Sequence, residues 1–279
     1  MFDKVIKISS KKIYAEINPN AGGAILNISS FKNSHNWVWL KSKNFIPDLN
    51  KSYDEQWNGG LEELYPCDFE EQFEIGIGPD HGELWSARWD ILEKDSDYCL
   101  LETKGTFTKS KISKKISVID NTVQVEYKIF DTIKEPFLFK PHLAFNLELN
   151  PKLELGKSNF QKVEESFGNI SNPELHFKNY LKKNTDDFGF FYVNNYQIPI
   201  TLNKPEIGES IELKFSEENL RYFWIFLTQG GWMKKNVCVL EPCSNKYKSI
   251  VETTSNTDFY WNKVGQNFEC SYSISVVND

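Results

Sequence analysis

The sequence predicts an all-β protein built as one large antiparallel sandwich, and three observations carry that prediction. Apolar and polar residues alternate with period two over most of the chain. Turn clusters recur between those runs, at Asp95-Ser96-Asp97, Asn194-Asn195 and Gly230-Gly231. Long helical periodicity is nearly absent, and only Ser216 to Leu220 has room for a single turn. Many short strands with regular turn signals are the pattern of sandwiches and barrels.

The elements follow in order. Ile13, Ala15 and Ile17 alternate with Tyr14 and Glu16 and mark an early strand. Trp85, Ala87, Trp89 and Ile91 alternate with Ser86, Arg88, Asp90 and Leu92, which predicts a tryptophan-rich strand. Tyr98 to Phe107 is the next. Ile112, Ile116 and Val118 share one face of a strand, and Val123, Val125, Tyr127 and Ile129 share one face of another. Asp120-Asn121 between them is a hairpin turn. In the segment 137–147, Phe137, Phe139, Leu143, Phe145 and Leu147 form an apolar face; Leu138, Lys140, His142, Ala144 and Asn146 form the other. Residues 150–186 are more polar and irregular, the composition of a long surface excursion. Ser210 to Phe215, Tyr222 to Leu227 and Asn267 to Val277 complete the set. Val237-Cys238-Val239-Leu240 reads as a mostly buried strand that ends at Pro242 or sits on a sheet edge, because proline cannot donate to a ladder. No linker, low-complexity block or clear internal repeat divides the chain, so residues 1–279 are expected to form one domain.

Composition narrows the function. The 279 residues are 40% hydrophobic and 25% charged, ordinary for a globular protein. Aromatic residues reach 15%, enough to pack sheet faces and leave rings for a ligand site. With 32 basic and 39 acidic residues the net charge is -7, which argues against a nucleic-acid partner. No segment approaches the roughly 20 apolar residues of a membrane span. Five cysteines without a CxxC pair fit free thiols in a reducing compartment, and a cytoplasmic protein is expected. The four histidines show no HxH or HxxxH spacing, so no metal is expected. There is no phosphate loop of Walker type and no GxSxG elbow.

Three segments carry the chemistry. Leu240-Glu241-Pro242-Cys243 delivers a carboxylate at the end of an apolar run, where it is costly without partners or a task. On the polar face of 137–147, His142 lies between Lys140, two residues and about 7 Å back along the strand, and Asn146, four residues and about 13 Å ahead, as the floor of a polar cleft would require. In Gly78-Pro79-Asp80-His81-Gly82-Glu83-Leu84-Trp85, His81 is held at a bend beside Trp85, whose flat indole suits the C–H face of a sugar. A solvated acid, a solvent-facing histidine and packing tryptophans are the plain alternatives for the same residues.

Taken in chain order, these segments resemble the aldose 1-epimerase (galactose mutarotase-like) superfamily. Asn20-Ala21-Gly22-Gly23 looks like its early glycine pair, and Asp80-His81-Gly82 with Trp89 like its His-Gly motif. Pro141-His142-Leu143-Ala144-Phe145-Asn146-Leu147 looks like its second histidine motif, and Leu240-Glu241-Pro242-Cys243 like its Glu-Pro motif. The resemblance implies a large antiparallel β-supersandwich, Glu241 as general base and His142 as general acid. It also implies that His81 helps hold the ring oxygen or an adjacent hydroxyl. Lys140, Asn146 and Trp85 are then candidates for the pocket, together with Trp57 and Trp232. Related hexose-phosphate epimerases have arginines where this chain has Asn58 and Trp85, which argues against phosphate recognition.

The expected activity is anomer interconversion of a hexose by acid/base ring opening, without cofactor. His142 would need a pKa near its ordinary value of about 6.5 to act as the acid. A small-molecule sugar is the expected partner of a monomer or homodimer. One rival is a non-catalytic carbohydrate-binding protein on the same scaffold. Another is a lyase or hydrolase, which would need a second carboxylate from among Glu62, Glu63 and Glu83.

Overall fold

The computed structural model describes residues 4–149, 151–156, 159–162, 188–246 and 264–278. In chain order its elements are β1 (Ile6–Ser9), β2 (Ile13–Asn18), β3 (Ala24–Ser30), the single helical turn α1 (Tyr53–Gln56), β4 (Leu61–Leu64), β5 (Glu71–Phe73), β6 (Gly76–Gly78), β7 (Asp90–Lys94), β8 (Tyr98–Lys104), β9 (Lys111–Ile119) and β10 (Thr122–Phe130). The second half contributes β11 (Lys140–Asn146), β12 (Lys152–Glu154), β13 (Asn159–Lys162), β14 (Phe188–Asn194), β15 (Ile200–Lys204), β16 (Glu209–Phe215), β17 (Tyr222–Gln229), β18 (Asn236–Cys243) and β19 (Phe268–Asn278).

Two large sheets hold nearly all of these strands. One has nine, in the order β1-β2-β3-β4-β11-β18-β17-β14-β13. The other has eight, in the order β12-β15-β16-β19-β10-β9-β8-β7. Their inner faces share one apolar core, with Ile6, Ile8 and Leu143 from the first sheet against Ile112, Ile116, Val125 and Ile274 from the second. Burial alternates along β9 and β10 as their sequences predict. The β9–β10 hairpin turns at Asp120-Asn121, with Ile119 opposite Thr122 and Asp120 at φ 54°.

Lys114 interrupts the apolar face of β9. Its side chain is wholly buried, and its ammonium donates to Glu63 Oε1 and Oε2 of β4 at 2.8 and 3.0 Å and to Gly23 O at 2.9 Å. Tyr127 of β10 donates to the same carboxylate. One ion pair therefore ties the two sheets together across the core.

Three sequence expectations need correction. The tryptophan-rich segment becomes a strand only at Asp90. Before that, Ala87 N turns back onto Leu84 O, and Trp89 N bonds Pro19 O, so loop contacts replace the ladder. β18 does not stop at Pro242 but runs through it to Cys243, with Pro242 opposite Phe223 of β17. The polar stretch 150–186 contributes edge strands β12 and β13; His176 and residues 163–187 lie outside the described residues. No helix among the described residues is long and apolar enough to cross a membrane.

Candidate active site

The register of the nine-stranded sheet assembles the site. His142 pairs with Glu62 on one side. On the other side β11 and β18 pair from Asn146↔Val237 to Leu143↔Leu240, and bonding resumes with Ser244 N donating to Phe139 O. The same register sets His142 opposite Glu241 and Pro141 opposite Pro242. Two facing prolines leave neither strand an N–H to donate there, so the ladder has a gap beside the two chemical side chains. Pro242 is tolerated because the amide it lacks would face Pro141 rather than β17. Across the next strands Glu241 pairs with Trp224, and Trp224 with Tyr192. Period-two alternation then puts Glu62, His142, Glu241, Trp224 and Tyr192 in one row on the outer face of the sheet.

A cavity of about 190 Å³ opens over this row. Its polar lining comes from Tyr53, Asp54, Asp68, His81, Lys140, His142 and Glu241, and its apolar lining from Trp57, Phe69, Phe190, Phe226 and Trp232. Glu241 Oε1 lies 3.8 Å from His142 Nε2, and Glu241 Oε2 accepts from Lys140 Nζ at 2.8 Å. Lys140 also donates to Asp68 at 2.9 Å. Burial presses the Lys140 pKa down, but Asp68 and Glu241 outweigh it and hold the ammonium above its usual range.

His142 departs from its expected state. Burial first, then the nearby Lys140 and His81 charges, hold its pKa well below 6.5. The ring therefore rests neutral near pH 7 and is not an imidazolium waiting to donate. Its Nδ1 lies 3.4 Å from Tyr53 Oη and 3.7 Å from Glu62 Oε1. Glu62 is buried behind the cavity wall, where Tyr53 Oη and Trp57 Nε1 both donate to its Oε1. Burial raises the Glu62 pKa to about 7, although those two hydrogen bonds oppose the rise.

Loops bring the remaining groups. Ser52 caps α1, accepting from Glu55 N while the Glu55 carboxylate accepts from Ser52 N, and the turn carries Tyr53 into the site. The Tyr53 ring stacks on His81 with centroids 3.8 Å apart. His81 sits at φ 57°, with Nδ1 2.9 Å from the Asp80 carboxylate. The following Gly82 has φ +68°, and a Cβ there would meet Tyr65 O at 2.3 Å, so only glycine lets the loop approach this closely. Lys235, outside the cavity lining, lies 4.3 Å over the Trp232 ring and 4.6 Å over Trp57, a cation–π clamp on the β17–β18 turn.

No protein-family model matches this sequence, and no curated protein matches it either. Solved structures do match in shape. Slr1438 from Synechocystis sp. PCC 6803 superposes with a TM-score of 0.73 at 12% identity, covering 100% of this chain and 97% of that one. A galactose mutarotase-like protein from Lactobacillus casei ATCC 334 gives 0.66 at 16% identity, over 98% of this chain and 100% of that one. Another from Clostridium acetobutylicum gives 0.68 at 12%, over 99% and 95%. The fold is that of the galactose mutarotase-like proteins.

Within this mutarotase-like fold, four of the sequence-predicted site residues meet at the cavity: Glu241, His142, His81 and Lys140. Two do not line it. Asn146 is two rows further along β11, and its amide and carbonyl engage Glu148. Trp85 is buried and meets Tyr53 edge-on at 5.0 Å, as a support for the site wall. Trp57 and Trp232 line the cavity instead. Sequence reasoning missed Tyr53 and Asp68. The Ser52-Tyr53-Asp54-Glu55 capping-box pattern was a usable signal for the first; Asp68 had none, because only tertiary folding sets it against Lys140. Of the three acids considered for a second carboxylate, Glu63 is bound to Lys114 in the core. Glu83 accepts from Phe107 N, Thr108 N and both threonine hydroxyls of the 106–108 loop. Only Glu62 stands near the site.

Proposed function

We propose that this protein is an aldose 1-epimerase-like isomerase that interconverts the α and β anomers of an uncharged hexose. The observation that supports this most is the side-by-side placement of Glu241 and His142 on the floor of one small cavity, 3.8 Å apart and within joint reach of a single sugar ring. Glu241 takes the proton of the anomeric hydroxyl while His142 hands a proton to the ring oxygen. The ring opens to the aldehyde, the C1–C2 bond rotates, and closure on the other face inverts C1. Trp57, Trp232 and Phe226 offer flat faces for the sugar C–H surface. His81 and Lys140, which line the same cavity, would meet hydroxyls. Polarimetry on freshly dissolved anomers tests the reading, run beside calorimetric titration. Accelerated rotation supports the isomerase, whereas heat of binding without acceleration assigns the site to carbohydrate binding alone.

The charge of the site bears on the substrate. Lys140 is the one lysine or arginine among the described residues lining the cavity, and Asp68 and Glu241 already share it. A phosphate would meet three carboxylates, Asp54, Asp68 and Glu241, around that single ammonium. Hexose 6-phosphates are therefore expected to be turned over at least about tenfold less efficiently than the parent hexose, since one unfavourable charge contact of about 1.4 kcal/mol has that effect. Comparing kcat/KM for a hexose and its 6-phosphate checks this, and a preference for the phosphate would contradict it.

A further inference from the structure

The neutral state of His142 poses a chemical problem for the function proposed above, on which this inference rests. A neutral imidazole that protonates a ring oxygen from Nε2 would be left as an imidazolate unless Nδ1 gains a proton in the same event. We infer that Glu62 and Tyr53 supply that proton, so that Glu62, Tyr53 and His142 act as one relay with Glu62 as the proton store. Geometry carries the inference. Glu62 and His142 are register partners on adjacent strands. The Tyr53 hydroxyl touches Glu62 Oε1 and stands 3.4 Å from His142 Nδ1. The direct Nδ1–Oε1 separation of 3.7 Å is too long for a hydrogen bond, so the hydroxyl is the link. Tyr53 is held for this by the α1 cap on one side and the His81 ring on the other.

The proton count closes. In ring opening, Glu241 receives the anomeric hydroxyl proton, and His142 Nε2–H passes to the ring oxygen as the C1–O5 bond breaks. With Glu62 protonated, the Tyr53–Glu62 hydrogen bond runs from the carboxyl to Tyr53 Oη, which frees the hydroxyl proton for His142 Nδ1; in the same event Tyr53 passes that proton to Nδ1, and the Glu62 carboxyl proton replaces it. His142 ends neutral as the other tautomer, Tyr53 is again a phenol, Glu62 is a carboxylate and Glu241 is a carboxylic acid. Ring closure runs each transfer backwards from the opposite face of C1 and restores the starting state. No imidazolium forms, so the low basicity of His142 is no obstacle.

The surroundings allow Glu62 to hold a proton near neutrality. Burial holds its carboxyl at about 7, against hydrogen bonds from Tyr53 and Trp57. Glu63, next on β4, adds to the rise, and His81 opposes it. His142 in turn faces Glu241, and the charges of Lys140, His81 and Asp68 act on it. Glu62 is not itself among the residues that line the cavity, so it is a positioning and proton-storing residue acting through Tyr53 and His142.

The test uses Glu62→Gln and Tyr53→Phe in the full chain, with two readouts. The first is ¹⁵N NMR of the His142 ring against pH without sugar. The wild type is expected to show a tautomer change centred near pH 7, as Glu62 loses its proton, and both variants are expected to lose it. The second is mutarotation. Both variants are expected to lower kcat by about a hundredfold with KM within threefold. The wild-type rate is expected to fall above about pH 7, and Glu62→Gln is expected to lose that limb. A His142 tautomer profile unchanged in both variants overturns the relay, whether or not the protein turns over sugar. The expected NMR change with no turnover by the wild type overturns the isomerase reading and leaves the Glu62–Tyr53–His142 coupling standing.

Discussion

Glu241→Gln is expected to lower anomer interconversion by about a hundred- to ten-thousand-fold, the usual reach of a positioned acid or base. The substitution keeps the shape of the side chain and an oxygen to accept from Lys140. The buried ammonium retains Asp68 as its charge partner, 2.9 Å away, so the substitution leaves no orphaned cation and the fold is expected to hold. What disappears is the carboxylate on the cavity floor that faces His142. The loss is expected in kcat far more than in KM, because a proton acceptor acts mainly in the transition state. His142→Asn is expected to act on the same scale for the opposite partner. Polarimetric rates, measured beside thermal unfolding of each variant, separate lost chemistry from lost structure. A variant of either kind turning over sugar at the wild-type rate would remove the assignment.

The largest effect on stability is expected from Lys114→Met. Lys114 and Glu63 are both wholly buried between the sheets, and removing one partner leaves the other as an uncompensated charge. Such a change costs about 3–5 kcal/mol, roughly a fifth or more of the stability of an ordinary domain of about 5–15 kcal/mol. The pH dependence follows from Glu63, whose pKa is raised in the folded protein, first by burial, against Lys114 and Tyr127. Without Lys114 the carboxyl is held higher still and keeps its proton. The folded state then binds a proton that the unfolded chain has released, so stability falls as pH rises above the unfolded carboxylate value of about 4.3. The variant is therefore expected to be closest to wild type near pH 4 and weakest at neutral pH and above. Adding Glu63→Gln to Lys114→Met removes the stranded charge and is expected to recover part of the loss. Urea unfolding at pH 4.5 and pH 7.5 checks both statements; a deficit for Lys114→Met that is equal at the two values would contradict the charge argument.

The parts of this protein that were legible in advance share a physical character. Period-two alternation is written into each strand by the pleat, so β2, β9, β10 and β19 could be read from residue type alone, and β17 from its continuous apolar run. The hairpin at Asp120-Asn121 was equally local. Glu241 and His142 stood out because a carboxylate at the end of an apolar run and a histidine between lysine and asparagine are each costly or purposeful in a strand. The failures were of reach. Asn146 belongs to the polar face of β11 as predicted, but the sheet carries it past the cavity to Glu148. Trp85 was chosen for its place beside His81, whereas packing turned it behind Tyr53 and gave the cavity Trp57 and Trp232.

The chain by itself determined an all-β protein with buried strands, a turn-rich course and two strand-borne groups suited to proton transfer, because alternation, turn residues and buried polarity are properties of neighbours in sequence. Tertiary structure alone decided which distant strands became neighbours. The register that sets Glu62, His142 and Glu241 in one row, the facing prolines beside them, and the Lys114–Glu63 pair all join residues from separate strands. Their energies depend on separation and burial, and folding creates both.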